Sequence, residues 1–225
     1  MKNPWSHLFL RSSFFALKKE EDLDTSLKIE HSKLQYDSAV NGFHPKRKDE
    51  FLLGRLCAAK AFYECTKQPL YDLKNNPDRS PAWPSGVVGT ISHNEFWVGA
   101  AVAKDTDLLG VGMDFEVMGR TKLELAKQIR SGGDLLSHPQ LSDEELLTLI
   151  FSAKESLYKA LYPQVKKFFG FEDASVTKID LDNGTFVINL ISDLNLNFGP
   201  KSRFSFEGRF TVDNKTCLTV LELSH

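Results

Sequence analysis

The sequence is poor in the features that mark several large classes of protein. It has only three cysteines, with no Cys-x-x-Cys pair and no histidine at zinc-site spacing, at positions Cys57, Cys65 and Cys217. This pattern excludes a disulfide framework and argues against a zinc module. No run approaches the about 20 consecutive apolar residues of a membrane-spanning helix. The formal net charge of −2 lacks the basic excess of nucleic-acid-binding proteins. We therefore expect reduced thiols, no nucleic-acid partner and no membrane span.

The residues that are present have the balance of an ordinary globular protein, with 41% hydrophobic and 26% charged side chains. A chain of 225 residues is long enough for one large domain or two small ones. Residues 1–16 are interrupted by His7 and Arg11 and do not have the pattern of a secretory signal. Residues 18–38 are polar, which predicts a surface segment. We expect a cytoplasmic protein whose anion sites depend on local clusters of Lys and Arg.

Apolar periodicity predicts helices and strands in both halves of the chain. Three- and four-residue spacings predict a helix over residues 47–66, and a capping box at Ser142 predicts the start of a second helix that ends at Pro163. Alternating patterns predict strands at residues 87–92, 96–103, 108–117, 185–190, 203–210 and 217–223. We therefore predict an α+β fold built from two similar lobes, residues 1–106 and 107–225.

Two carboxylates lie on one face of a predicted strand. Because strand side chains alternate, the segment from Val111 to Val117 turns four apolar residues to one face and leaves Gly112, Asp114 and Glu116 on the other. The two carboxylates are then about 6.5–7 Å apart, beside a glycine that lets a ligand approach the backbone. Mg²⁺ binds such carboxylates together with phosphate oxygens and water. A solvated acidic face is the alternative, and the spacing alone favours it.

A Lys-Glu pattern follows on the second predicted helix. Glu155 and Lys159 are four residues apart and share a face, as do Lys154 and Tyr158. Such a face can complete an anion or metal site. A surface salt bridge worth a few tenths of a kcal/mol explains the same spacing, and the motif taken alone favours that interpretation.

Two further clusters suit a phosphate. Ser92 and His93 lie at the end of a predicted strand, although a turn that bonds its own backbone has the same residues. No Gly-x-Ser-x-Gly elbow surrounds Ser92, which argues against a hydrolase nucleophile. Arg47 and Arg55 are eight residues apart on one helix face, where they can grip a phosphate by forked hydrogen bonds or simply remain in solvent.

In this order the clusters resemble the Sfp-type 4′-phosphopantetheinyl transferases, in particular the branch similar to enterobactin synthetase component D. The resemblance covers roughly residues 43–163. It rests on Arg47, Glu50-Phe51 and Gly54-Arg55, Pro81-Ala82-Trp83-Pro84 and Gly86, Gly89-Thr90-Ile91-Ser92-His93, Gly112-Met113-Asp114-Phe115-Glu116, and Phe151-Ser152-Ala153-Lys154-Glu155-Ser156-Leu157-Tyr158-Lys159-Ala160-Leu161-Tyr162-Pro163. Phe151 stands where the family often has Trp, and Ile91 where the residue is usually small or hydroxylated.

The resemblance implies a fold and a reaction. The fold is a pseudo-dimer of two α+β lobes with the active site in the cleft between them, and the chain is a monomer. The enzyme transfers the 4′-phosphopantetheine group of coenzyme A to a serine of an apo carrier protein and releases 3′,5′-ADP. The reaction depends on Mg²⁺, for which Mn²⁺ can substitute.

The resemblance also implies roles for individual residues. Asp114, Glu116 and Glu155 hold the metal, and Glu155 is the candidate base for the serine proton, directly or through a metal-bound water. Lys159 contacts the pyrophosphate together with Lys154, and stabilises the leaving group. The 3′-phosphate end of coenzyme A is held by Arg47, Arg55 and His93, with Arg79 and Ser92 as further contacts.

The carrier is expected to dock on the second lobe, at the stretch from Arg120 to Arg130, in which residues 122–130 are predicted to be helical. There a basic rim of Lys122, Lys127 and Arg130 alternates with apolar Leu123, Leu125 and Ile129. The sequence leaves two other functions open. One is a Mg²⁺-dependent nucleotide phosphohydrolase that uses the same carboxylates. The other is a non-catalytic module that binds coenzyme A or the carrier.

Overall fold

Two antiparallel sheets form the framework in a computed structural model, which describes residues 4–19, 25–35, 40 and 42–225. The first sheet has the strand order β1-β3-β2 and the second the order β4-β8-β7-β6-β5. The strands are β1 (Ser13–Lys18), β2 (Val87–His93), β3 (Trp97–Lys104), β4 (Gly110–Val117), β5 (Ala174–Asp180), β6 (Thr185–Leu190), β7 (Ser205–Asp213) and β8 (Thr216–Leu223). The helices are α1 (Thr25–Lys33), α2 (Pro45–Thr66), α3 (Ala126–Ile129) and α4 (Asp143–Val165).

The predicted α+β class is therefore confirmed, with one long helix on each sheet. The two lobes share this plan but differ in size, with three strands in one and five in the other. Strands β1 and β5 were not predicted, because β1 has no polar-apolar alternation and that of β5 is interrupted at the register shift between Val176 and Lys178. Part of the predicted surface segment, residues 20–24 and 36–38, lies outside the described residues.

Helix α2 packs on the three-stranded sheet. It begins at Pro45, where a proline costs nothing because the first amides of a helix have no partner within it. Its buried face places Cys57, Ala61 and Phe62 against Val98 and Val102 of β3. Helix α2 ends where the next residue, Lys67, adopts a left-handed backbone conformation, and a loop then leads to β2.

Helix α4 packs on the five-stranded sheet and begins with the predicted capping box, in which Ser142 and Glu145 exchange both hydrogen bonds. The prediction that it ends at Pro163 is wrong, because the helix continues to Val165. Pro163 lies in the last turn, where the missing amide removes a single backbone hydrogen bond. The helix ends when Lys166 adopts a left-handed conformation and its amide donates to the Tyr162 carbonyl.

Two glycines of β4 allow α4 to approach the sheet closely. A Cβ at Gly110 would lie 2.0 Å from the Ala160 carbonyl oxygen, and one at Gly112 would lie 1.9 Å from the Ser156 carbonyl oxygen. The prediction that Gly112 makes room for a ligand is therefore wrong. Gly112 makes room for the backbone of α4, which brings the side chains of that helix next to those of β4.

The N-terminal segment joins the two sheets. The ring of Trp5 is fully buried and contacts Trp97 of the first sheet and Phe115 of the second, both edge to face. Glu222 on β8 accepts hydrogen bonds from the backbone amides of residues 10–12. These contacts hold the two lobes in a defined position relative to each other. Among the residues that the structure describes, no helix combines the length and apolar character needed to cross a membrane.

Candidate active site

Asp114 is the point at which both lobes and helix α4 meet. It lies on β4 with only 5% of its surface exposed. Its Oδ1 accepts a hydrogen bond of 3.0 Å from Ser92 Oγ on β2, and one of 2.6 Å from Lys159 Nζ on α4. Its Oδ2 is buried and has no hydrogen-bond partner among the described residues. A buried carboxylate oxygen without a partner is costly, and a bound cation would provide one.

Lys159 connects the carboxylate to the open side of the site. Its ammonium also donates to the Met113 carbonyl at 3.2 Å and to Ser92 Oγ at 3.4 Å. A quarter of its side chain remains exposed. The ammonium is therefore held beside Asp114 and can still reach an anion that enters from solvent.

Glu116 and Glu155 share the electrostatic field of Asp114. Burial, and then the negative charge of Asp114, raise the pKa of Glu116 to about 7. Burial raises the pKa of Glu155 as well, and Asp114 adds to that increase. The positive charge of Lys159 opposes both shifts without cancelling them, so the two glutamates lack a further cation that would stabilise their charged forms.

The described residues do not form a finished metal cage. Nowhere in the parts of the chain that the structure describes do three His, Cys, Asp or Glu side chains converge closely enough to hold an ion. The structure brings the predicted ligands Asp114, Glu116 and Glu155 into one neighbourhood. It leaves the oxygen of Asp114 that has no partner as the clearest vacant acceptor.

A cleft of about 790 Å³ opens beside these groups, between the two lobes. One wall is the α4 face that carries Glu155, Tyr158, Lys159 and Tyr162. The other wall is the loop and strand at residues 76–91, which includes Arg79, Trp83 and Thr90. The cleft therefore has a carboxylate and an ammonium at its inner end and polar and aromatic side chains along its length.

His93 at the end of β2 lies near several charged side chains. Its Nδ1 is 3.8 Å from Glu50 Oε1, which also pairs with Lys19 at 2.9 Å. Burial lowers the pKa of His93, Glu50 opposes that shift, and the positive charges of Lys19 and then Arg47 add to it. Arg47 itself is exposed on the first turns of α2. The joint contact of Arg47 and His93 with one phosphate stays a prediction.

Arg55 points into the protein. Only 7% of the surface of Arg55 is exposed, and its guanidinium lies 4.2 Å from the centre of the Phe51 ring. The guanidinium donates to the Leu73 carbonyl at 2.8 Å and to Asn75 Oδ1. Burial lowers the pKa of Arg55 to about 10. These protein acceptors account for the position of the guanidinium, so the predicted phosphate contact of Arg55 stays a prediction that the geometry does not favour.

Lys154 is also occupied within the fold. Its ammonium is buried and pairs with Asp134 Oδ2 at 2.6 Å, and it donates to the carbonyls of Ile129 and Phe171 at 2.8 Å each. Lys154 is not among the described residues that line the cleft. A one-residue step turns a helix by about 100°, which separates Lys154 from the neighbouring Glu155. The geometry disfavours the predicted contact of Lys154 with pyrophosphate.

Sequence reasoning missed part of the cleft wall. Lys166 after α4 and Asp78 in the loop opposite were not singled out, and Tyr162 was part of the family motif but had no predicted role. Tyr162 follows Glu155 by seven residues, and this two-turn spacing on one helix face was the available signal. No local pattern marks Asp78.

The predicted docking segment is a short, irregular helix. It consists of a 3₁₀ turn at Leu123–Leu125 followed by α3. Leu123 and Leu125 are exposed by 43% and 41%, as an apolar docking contact requires, but Ile129 is only 3% exposed. The prediction that Ile129 is a surface anchor is therefore wrong, because it packs in the core beneath α4.

Comparisons with known proteins identify the family of this chain. Residues 35–103 match the family model of the 4′-phosphopantetheinyl transferase N-terminal domain, and residues 110–212 match that of the 4′-phosphopantetheinyl transferase superfamily. The 4′-phosphopantetheinyl transferase Npt of Nocardia iowensis is 30% identical over 78% of this chain and 82% of its own. PptT of Mycobacterium tuberculosis is 30% identical over 79% and 80%, respectively. Enterobactin synthase component D of Salmonella typhi is 33% identical over 71% and 68%. The chain belongs to the 4′-phosphopantetheinyl transferase superfamily.

Proposed function

We propose that this protein transfers the 4′-phosphopantetheine group of coenzyme A to a serine of an apo carrier protein and releases 3′,5′-ADP. The observation that carries the proposal is the cleft between the lobes, where Glu155 and Lys159 line a space open to solvent and the ammonium of Lys159 is bonded to the buried carboxylate of Asp114. A carboxylate that can accept a proton and an ammonium that can stabilise a phosphate lie at the same place. Membership of the transferase family supports the same reaction.

Mg²⁺ fits the acidic end of the cleft. The donor set consists of carboxylate oxygens, which Mg²⁺ and Mn²⁺ prefer, and Asp114 Oδ2 is a buried acceptor without a partner. Asp114, Glu116 and Glu155 would hold the ion. A complete protein cage is not required, because Mg²⁺ commonly binds one or two carboxylates and takes its other ligands from phosphate and water. When bound, the ion neutralises charge on the pyrophosphate of coenzyme A.

The side chains of this protein supply the proton transfer. The serine oxygen of the carrier attacks the phosphorus that bears the pantetheine arm and forms a new phosphorus–oxygen bond. The bond from that phosphorus to the bridging oxygen breaks, and 3′,5′-ADP leaves. Glu155 takes the serine proton, for which its raised pKa makes it a better base than an ordinary carboxylate. Lys159 stabilises the charge that develops on the departing phosphate.

The remaining residues orient coenzyme A. We assign Arg47 and His93 to the 3′-phosphate, with Ser92 and Arg79 closer to the pyrophosphate and along the cleft wall. Ser92 is already bonded to both Asp114 and Lys159, so it aligns these groups as well. Arg55 and Lys154 act through the fold, since their cationic groups are bonded within the protein.

A carrier-loading assay tests the proposal. The protein is incubated with coenzyme A, Mg²⁺ and an apo carrier, and the products are measured by intact-protein mass spectrometry and nucleotide chromatography. We expect the carrier to gain the mass of phosphopantetheine with one 3′,5′-ADP per modified carrier. Coenzyme A hydrolysis without a carrier would support the phosphohydrolase instead, and binding without turnover would support the non-catalytic module.

We propose that the carrier docks at Leu123 and Leu125, with Lys122 and Lys127 at the rim. Siderophore synthetases are the first class of carrier to test, and polyketide and fatty acid synthases are the next. A panel of apo carriers ranked by kcat/KM identifies the class, and Leu123→Asp should raise the KM for the preferred carrier without changing the KM for coenzyme A. We propose that the enzyme is a cytoplasmic monomer. Size-exclusion chromatography with light scattering tests the oligomeric state.

A further inference from the structure

A loop between α2 and β2 forms one wall of the cleft and is held together by its own hydrogen bonds. We call residues 74–82 the strap. An isolated β-bridge pairs Asn75 with Pro81, and the Ala82 amide donates to the Lys74 carbonyl at 2.8 Å. Nearer the tip, the amide of Asn76 donates to the carbonyl of Ser80 at 2.8 Å. The strap is therefore a closed hairpin with a defined shape.

Helix α2 fixes the base of the strap. The buried guanidinium of Arg55 donates to the Leu73 carbonyl, immediately before the strap, and to the side chain of Asn75 within it. A planar guanidinium presents its donors in a fixed fork, so two such contacts set the direction in which the strap leaves the helix. This anchoring also explains why an arginine is buried at this position.

The tip of the strap reaches across the cleft to the other lobe. Tyr162 on α4 donates its hydroxyl hydrogen to Asp78 Oδ2 at 2.6 Å. The other oxygen of Asp78 accepts from the amide and hydroxyl of Ser80, at 2.9 and 2.6 Å. The hydroxyl of Ser80, and then that of Tyr162, lower the pKa of Asp78 to about 2, so the acceptor is an ionised carboxylate at neutral pH. A hydrogen bond from a hydroxyl to an ionised carboxylate is stronger than one between two neutral groups.

We propose that Asp78 and Tyr162 are positioning residues for coenzyme A, forming a clasp that holds the strap over the bound molecule. The inference rests on the proposed function. Tyr162 shares a face of α4 with Glu155 and Lys159, so the clasp lies on the same cleft as the reacting groups. Arg79 follows Asp78 directly, has a left-handed backbone with φ 69°, and also lines the cleft.

The clasp is expected to affect the binding of coenzyme A more than the chemical step. Neither Asp78 nor Tyr162 contacts the groups assigned to proton transfer, whereas both hold the wall against which coenzyme A lies. Tyr162→Phe keeps the ring, which stacks on Tyr158, and removes only the donor. We expect the KM for coenzyme A to rise about 3- to 10-fold, the range given by losing one modest hydrogen bond, with kcat within about 2-fold of the wild type.

The test measures KM and kcat for coenzyme A in Tyr162→Phe, Asp78→Ala and the double variant. Because one contact joins the two residues, the double variant should have a KM no higher than that of the more affected single variant. Tyr71→Phe is the matched control, since it removes an exposed tyrosine hydroxyl outside the cleft and should leave both constants unchanged. Hydrogen exchange without coenzyme A should be faster in the strap of Tyr162→Phe and unchanged in β3.

Three results would overturn the clasp and leave the proposed function intact. They are an unchanged KM in Tyr162→Phe, a loss of kcat with an unchanged KM, and a KM in the double variant equal to the product of the two single effects. A wild-type protein that loads no carrier would instead contradict the proposed function. The clasp would then be tested by the exchange of the strap amides and by calorimetric binding of coenzyme A.

Discussion

Two faces of helix α4 have opposite surroundings although they carry neighbouring residues of one motif. On one face, the ammonium of Lys154 is buried and bonded to Asp134 and two carbonyls. On the other, Glu155 and Lys159 line an open cleft. The first face is satisfied within the fold, whereas the second has a raised carboxylate pKa and faces a buried carboxylate oxygen without a partner. The difference shows that the satisfied face holds the helix and the unsatisfied face is available to a ligand.

The largest expected effect comes from the cleft face. Glu155→Gln keeps the size of the side chain and removes its ability to accept the serine proton. General-base catalysis contributes about 10²- to 10⁴-fold, so we expect kcat for carrier loading to fall by about 10³-fold. Stopped assays with mass detection of the loaded carrier measure this. The melting temperature should change little, and a variant with more than a tenth of wild-type kcat would remove Glu155 from the role of base.

The opposite face should show the reverse pattern. Lys154→Met leaves the buried carboxylate of Asp134 without its cation, and breaking one half of a buried ion pair costs about 3–5 kcal/mol of unfolding free energy. Urea unfolding measures this loss. Below the unfolding transition, kcat and the KM for coenzyme A should remain within about 3-fold of the wild type.

A second variant separates the charge from the packing. Adding Asp134→Asn to Lys154→Met removes the unpaired carboxylate and should restore part of the lost stability. A Lys154→Met protein with normal stability and a strongly raised KM for coenzyme A would show that Lys154 contacts coenzyme A. The contrast between the two faces of α4 would then be wrong.

A smaller effect concerns pH and the strand opposite α4. The pKa of Glu116 is about 7 in the folded protein against 4.5 as its ordinary value. The folded state therefore binds a proton more tightly, and its stability falls as pH rises from about 4.5 to about 7. Glu116→Gln removes this loss and should stabilise the metal-free protein at pH 8 by about 1–3 kcal/mol.

Thermal unfolding in EDTA at pH 5 and pH 8 checks this prediction. The advantage of Glu116→Gln should be clear at pH 8 and much smaller at pH 5. Mg²⁺ should stabilise the wild type more than the variant, because the variant lacks one carboxylate. Equal stabilisation by the substitution at both pH values would mean that the charge of Glu116 is not disfavoured in the fold.

Much of the framework was predictable because it depends on local patterns. The spacing of apolar residues predicted α2 and α4, and alternation on β4 predicted that Met113 and Phe115 enter the core while Asp114 faces away. The capping box at Ser142 was visible in the sequence for the same reason. Strand β1 lacks such a pattern and is defined by its pairing with β3, a contact between distant segments.

The candidate site was predictable only in part, for the same physical reason. The resemblance to a family connected Asp114 with Glu155, which no local spacing can do. It also implied that Lys154 contacts the pyrophosphate. Only the direction of its face of α4 shows that this side chain points into the core, where it pairs with Asp134. The contact of Asp78 with Tyr162 joins residues that are 84 positions apart and left no signal in either segment.

We propose that the carboxylates of β4 and α4 hold Mg²⁺ against the pyrophosphate of coenzyme A. Isothermal titration calorimetry of coenzyme A binding, with Mg²⁺ and with EDTA, compares the wild type with Asp114→Ala. We expect Mg²⁺ to tighten binding to the wild type by about 10-fold or more, as one good charge interaction does, and Asp114→Ala to lose this gain while remaining folded. Full Mg²⁺ enhancement in Asp114→Ala would show that Asp114 does not hold the ion.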